Sequence, residues 1–215
     1  MKSKKLISFF SILSFIVPLI TVTICYYILI NKTSLETFPF IDCIISISYL
    51  GRQELTIKIF KTGMLLFILI SFFFYFYISN FFQKNKFENL LKTFGIIANF
   101  FLVIYIFTIG NNSELYNILR KLGITLYIIT MYINHIYTIK LLKKIKQFRF
   151  NNLSLNILII IVIIMTGLII IGSPWIISTF EHAHSHQMKN IVEWNYFLLM
   201  VSFYVPVSVL FYKLN

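Results

Sequence analysis

Six stretches of this chain, about 6–30, 56–79, 90–110, 115–142, 153–179 and 191–212, are each long and apolar enough to cross a hydrocarbon core of about 30 Å at 1.5 Å per residue. A backbone in lipid must satisfy its own hydrogen bonds, so runs of this kind fold as helices. With 59% hydrophobic residues, 12% charged residues and a mean hydropathy of +0.85, the 215-residue chain carries more apolar surface than one soluble domain hides. The expectation is an all-α, polytopic membrane protein, a single six-helix bundle over residues 1–215. The first run follows Lys2, Lys4 and Lys5 but is too long for the apolar region of a signal peptide and lacks a small-residue cleavage site, so it reads as a retained span. Pro18 is expected to kink it.

The formal net charge of +12 does not point to nucleic acid, because the basic residues fall in the short gaps between apolar runs. Lys2, Lys4, Lys5, Lys84, Lys86, Lys92, Lys140, Lys143, Lys144, Lys146, Arg149 and Lys213 put twelve of the nineteen basic residues on one side, with only Glu88 against them. The alternate gaps hold Glu36, Asp42, Glu54, Glu114, Glu181 and Glu193. By the positive-inside rule both termini are cytoplasmic, in a plasma membrane or a bacterial inner membrane. The run Lys140, Lys143, Lys144, Lys146 and Arg149 is first a topological anchor. Its second reading is a contact with anionic lipid, worth roughly 1 kcal/mol per charge near the surface.

On the extracytoplasmic side, the second, fourth and sixth helices each carry a glutamate near the start: Glu54, Glu114 and Glu193. Asn190-Ile-Val-Glu193 approximates a capping box, and Ser113-Glu114 reads as an N-cap with a first-turn acid. Trp175 and Trp194 suit an aromatic belt at the same boundary. In the fourth helix, Tyr127, Thr130, Asn134 and either Tyr137 or Thr138 form a polar stripe at helical spacing that should face other helices, as should Asn99 in the third. His135 reads as a packed histidine. The first connection, about 31–55, is long enough to fold over a site. Cys25 and Cys43 have no metal spacing, and a bridge between them is not readable from sequence. Asn31-Lys-Thr33 and Asn111-Asn-Ser113 match a glycosylation sequon on the expected outer side.

His182, His184 and His186, preceded by Glu181, gather three of the four histidines into one stretch. Three imidazoles with an open fourth position would suit catalytic zinc, giving a metal-dependent lipid hydrolase or transferase as one reading. In an extended strand the three share a face; in a helix only His182 and His186 do. The plainer reading is a solvated polar loop, with no cofactor.

The run Ile45-Ser46-Ile-Ser-Tyr-Leu-Gly51-Arg-Gln-Glu54, followed by Ile59-Phe60 and Gly63, resembles the connection after the first helix in the Frag/DRAM/Sfk group of six-helix membrane proteins. It is also similar to an S-x-L-G run in a related prokaryotic family known as domain of unknown function 998. Arg120-Lys-Leu-Gly123-Ile-Thr-Leu-Tyr127 resembles that group's H-x-x-G-A-x-x-F, and Glu193-Trp194 resembles the E-W or E-Y that opens its sixth helix. Arg120 stands where the group has histidine, and Gln53 where it has proline. The resemblance implies six spans and a tie to membrane lipid, since members are linked to remodelling of glycosylphosphatidylinositol lipids, autophagy and plasma-membrane lipid organisation. The expectation is an accessory, non-enzymatic lipid-handling protein. Its polar cluster would be Glu54, Arg120 and Glu193, with Ser46 nearby, and Arg120 would meet an anionic headgroup or ion-pair with one of the glutamates.

Overall fold

The computed structural model describes residues 2–33, 38–41, 45–82, 88–111, 113–145, 153–172 and 182–213, and every regular element among them is helical. In chain order these are α1 (Lys2–Thr33), α2 (Ile47–Leu50), α3 (Ile57–Phe81), α4 (Glu88–Thr108), α5 (Glu114–Leu142), α6 (Leu153–Ile171), α7 (His182–Ser202) and α8 (Tyr204–Lys213). Among the described residues six helical segments are long and apolar enough to cross a membrane, the last being α7 and α8 together over His186–Lys213. An even number of crossings puts both termini at one end of the bundle. The opposite end holds the C-terminal ends of α1, α4 and α6.

Two expected boundaries move. The fifth span ends at Ile171, with Gly172 in a turn, and residues 173–179 lie outside the described set. The sixth begins at His182, so Asn190 is no capping residue and Glu193 lies three turns into α7 instead of at its start. The cause is ordinary helix propensity. Ala183, Gln187, Met188 and Lys189 are good helix formers, and polar side chains at the end of a span do not oppose a helix. Near the other end Pro206 removes the N–H that Ser202 would bond, and the helix breaks at Phe203 before resuming as α8. α1, by contrast, runs on through Pro18 as one helix. Ser113 caps α5 as expected, accepting from the Tyr116 N–H at 3.5 Å, with Glu114 in the first turn.

Hydroxyls and glycines draw the helices together, since lipid gives apolar side chains no reason to prefer one another. Between α1 and α8, Ser8 Oγ and Ser208 Oγ each donate to the other's carbonyl, at 3.1 and 2.9 Å, and Ser11 Oγ donates to Tyr204 O at 2.6 Å. α4 and α5 approach so closely at Gly123 that an added Cβ would lie 3.0 Å from both Phe101 O and Tyr105 N. Gly110, with φ of 91°, supplies the left-handed residue that lets the chain turn out of α4.

The polar stripe of α5 is buried as its spacing predicts: Tyr127, Thr130, Asn134 and Thr138 all face the interior, and Tyr137 is half-buried. With its amide nitrogen turned toward α4, Asn134 donates to Leu91 O at 3.3 Å and accepts from Gly95 N at 3.1 Å. Asn99 is buried too, accepting from Ser71 Oγ at 3.1 Å. His135 is a packing residue. Its ring stacks on Phe203 at 3.8 Å, and Nε2 lies 3.3 Å from Met200 O beside the α7–α8 break. A carbonyl only accepts, so that contact fixes the proton on Nε2.

Candidate functional site

At the end of the bundle opposite the termini, residues 45–50 turn inward. Ser46 caps the one-turn helix α2, its Oγ accepting from Tyr49 N at 3.0 Å, and Ile45, Ile47 and Leu50 are buried among the spanning helices. Three successive residues of α7 hold this connection in place. Ser48 donates twice to one carboxylate oxygen of Glu193, from N at 3.1 Å and from Oγ at 3.2 Å. Trp194 Nε1 donates to Ile45 O at 2.8 Å, and Asn195 Nδ2 donates to Phe40 O at 3.0 Å. Phe40 and Tyr26 pack edge-on against the Trp194 ring at 5.8 and 5.3 Å. Trp194 is therefore buried inside the bundle and does not join an interfacial belt; the carbonyl of Ile45, which precedes α2 and stands outside any helix, draws its N–H inward.

Behind α2 lies a partly open, mainly apolar cavity of about 300 Å³. Its walls come from α2 to α7, with Phe60 and Met64 of α3, Tyr105 of α4, Ile124 and Ile128 of α5, Leu168 of α6 and Gly172 just after it, and one face of α7. That face presents Lys189, Glu193, Tyr196, Phe197 and Met200 in descending order, a helical i, i+4, i+7 series. Only Oε1 of Glu193 receives the Ser48 bonds; Oε2 accepts no hydrogen bond from a described residue. Tyr105 OH donates to Ser48 Oγ at 3.2 Å and so completes a chain from α4 through α2 to α7.

Glu193 lies inside the apolar span His186–Lys213, about 10 Å below His186 at 1.5 Å per residue. An ionisable group inside a membrane span is costly and marks a functional site by default. Two cations stand nearby. Arg52, just after α2, donates from Nε to Ser48 O at 3.3 Å and lies within electrostatic reach of Glu193. Arg120 of α5 lies within reach of Tyr105 and of Arg52. Among the described residues neither guanidinium forms an ion pair.

Of the residues expected to cluster, Glu193 is at the centre of this site, but Ser48 is its partner and not Arg120. Arg120 comes to the neighbourhood of Tyr105, Glu54 stays exposed in the turn before α3, and Ser46 acts as the cap of α2. Ser48, Arg52, Tyr105 and Lys189 are the residues that sequence reasoning passed over. The signal was available in part: Ser48 and Arg52 stand in the same run as Ser46 and Glu54, four residues apart. His182, His184 and His186 lie on a helical backbone, where the first and third are one turn apart and His184 falls on another side. The side chains of 182–185 are outside the described set, as are Cys43, Lys146, Arg149, Trp175 and Glu181. Cys25 is buried against α3, with Sγ 3.8 Å from Thr56 O. The site has to be read from its own geometry: no family model, curated protein or solved structure matches this chain.

Proposed function

We propose that this integral membrane protein is an accessory lipid-handling protein that binds an amphiphile in the cavity behind α2, without turning it over. The observation that carries the reading is the cavity itself, about 300 Å³, apolar in its depth and bearing a carboxylate near its top, within the membrane-spanning part of the bundle. That volume sits at the low end of small-molecule sites, roughly 300–1,000 Å³, and suits one chain in preference to two. Met64, Phe197, Met200 and Ile128 form most of the wall of its lower half, with Tyr127 beside them. An alkyl chain gains there by replacing empty contacts with packed ones.

In this arrangement the termini face the cytoplasm and the cavity faces the extracytoplasmic leaflet, in keeping with the twelve basic residues that flank the terminal end. The resemblance of the α1–α3 connection to the Frag/DRAM/Sfk group and to the related family with an S-x-L-G run, which Ser48-Tyr-Leu-Gly51 matches, supports the lipid-handling reading. The test is to measure bound lipid and metal on the same preparation of purified protein, beside an Ile128→Trp variant that fills the cavity from α5. Lipid near one equivalent, lost in the variant, is the expected result. Stoichiometric zinc without lipid would instead establish the metal-dependent reading built on His182, His184 and His186.

A further inference from the structure

Resting on that reading, the order of groups down the cavity identifies the kind of amphiphile. From its rim inward, α7 presents the Lys189 ammonium, exposed at the mouth, then the Glu193 carboxylate one turn lower, then Phe197 and Met200. Lys189 and Glu193 line the same cavity one turn apart and form no ion pair with each other among the described residues. Outside the lining, Arg52 bonds the Ser48 carbonyl and lies within electrostatic reach of Glu193 and of Arg120, and neither arginine forms an ion pair among the described residues. A guanidinium offers phosphate a bidentate fork.

A ligand complementary to this sequence of groups reads, from chain to tip, alkyl chain, ammonium, anion. We propose that the cavity takes a single-chain lipid whose ammonium lies next to the chain and whose phosphate lies beyond it, the chemistry of a phosphorylated long-chain amino alcohol. The ammonium meets the free Oε2 of Glu193 with the rings of Tyr105 and Tyr196 beside it, a carboxylate with aromatic walls being a favourable seat for a cation. The phosphate, at about −1.5 to −2 charge, lies among Lys189, Arg52 and Arg120. The ordinary zwitterionic phospholipid head has the reverse order, phosphate next to the chain and ammonium at the tip. It would set phosphate against Glu193 and ammonium against the three cations. Specificity here comes as much from that mismatch as from the matched pairs.

The experiment is a binding titration by native mass spectrometry on the full-length protein in detergent. Four single-chain lipids of equal chain length serve as probes: sphingosine 1-phosphate, sphingosine, lysophosphatidic acid and lysophosphatidylethanolamine. Sphingosine 1-phosphate should bind at least tenfold tighter than each of the others. In Glu193→Gln it should fall to the level of lysophosphatidic acid, whose own affinity stays the same or rises. Because the amide oxygen introduced by Glu193→Gln can still accept from Ser48, this variant should fold; if it does not, Lys189→Gln on the exposed rim gives the complementary reading, weakening both phosphate lipids several-fold while leaving sphingosine unchanged or tighter. Lysophosphatidylethanolamine binding as tightly as sphingosine 1-phosphate would overturn the proposed order, and so would a preference for the amine that survives Glu193→Gln. If Ile128→Trp blocks binding but the ranking differs, the headgroup inference alone fails. If none of the four lipids binds, the lipid-handling reading fails with it.

Discussion

Ser48→Ala tests whether the bond between α2 and α7 holds the site together. The substitution removes the Oγ bond to Glu193 Oε1, 3.2 Å, and at the same time leaves the buried Tyr105 hydroxyl without its acceptor, also at 3.2 Å. A hydrogen bond to a charged group contributes about 1.5–3 kcal/mol in soluble proteins, and orphaning a buried hydroxyl costs about 1–3 kcal/mol. Interhelical bonds in membranes measure lower, about 0.6 kcal/mol on average and up to about 1.7, since the unfolded chain in lipid also finds partners. The lower end of both ranges applies, giving a loss of about 2–3 kcal/mol. The assay is equilibrium unfolding in mixed micelles titrated with dodecyl sulfate. Adding Tyr105→Phe to Ser48→Ala should recover about 1 kcal/mol, because the orphaned donor is gone. In a Glu193→Gln background the cost of Ser48→Ala should fall by about 0.7 kcal/mol, half of the share that belongs to the Glu193 bond, a neutral acceptor being worth roughly half a charged one while the Tyr105 share stays. The reasoning fails if Ser48→Ala costs less than about 0.5 kcal/mol, or if it adds to Glu193→Gln within about 0.5 kcal/mol, the signature of residues that do not interact.

Three further outcomes follow from other parts of the bundle. Gly123→Val should lower the thermal midpoint in detergent by overpacking the α4–α5 contact, at a cost of about 1–3 kcal/mol, whereas Gly167→Ala, with nothing within 4 Å of the added Cβ, should leave it unchanged or raise it. Asn134→Leu should destabilise by about 1 kcal/mol through loss of its two bonds to α4, and an unchanged midpoint would show that the amide does not bridge the helices. A cysteine placed at Ser185 should react with an impermeant thiol reagent from the extracytoplasmic face; labelling only from the cytoplasmic face would invert the topology and move the cavity to the other leaflet.

The six spans were legible because lipid allows so few answers. A 20-residue apolar run in a chain with this little charge has nowhere else to go, and the stripe of Tyr127, Thr130 and Asn134 follows from the helical period alone. What hydropathy does not carry is the identity of neighbours. Glu193 reads as an end-of-helix acid because the polar stretch before it looks like loop, yet that stretch is helical, and the carboxylate sits a further three turns along. α2 is four residues long with two buried apolar side chains, too short to register as a span, so its place among the helices has no signature in the sequence beyond the Ser46 cap. The break at Phe203 had a signal in Pro206, and the ring of Phe203 at that break stacks on His135 of α5. The pairing of Ser48 with Glu193 joins residues 145 positions apart, and the favoured partner from charge alone was an arginine. Hydrogen bonding overrode it. A carboxylate bonded by a backbone N–H and a hydroxyl keeps one oxygen free, which an intimate ion pair with a guanidinium fork would have occupied. The arrangement that sequence reasoning did not foresee is therefore the one that leaves Glu193 able to meet a ligand.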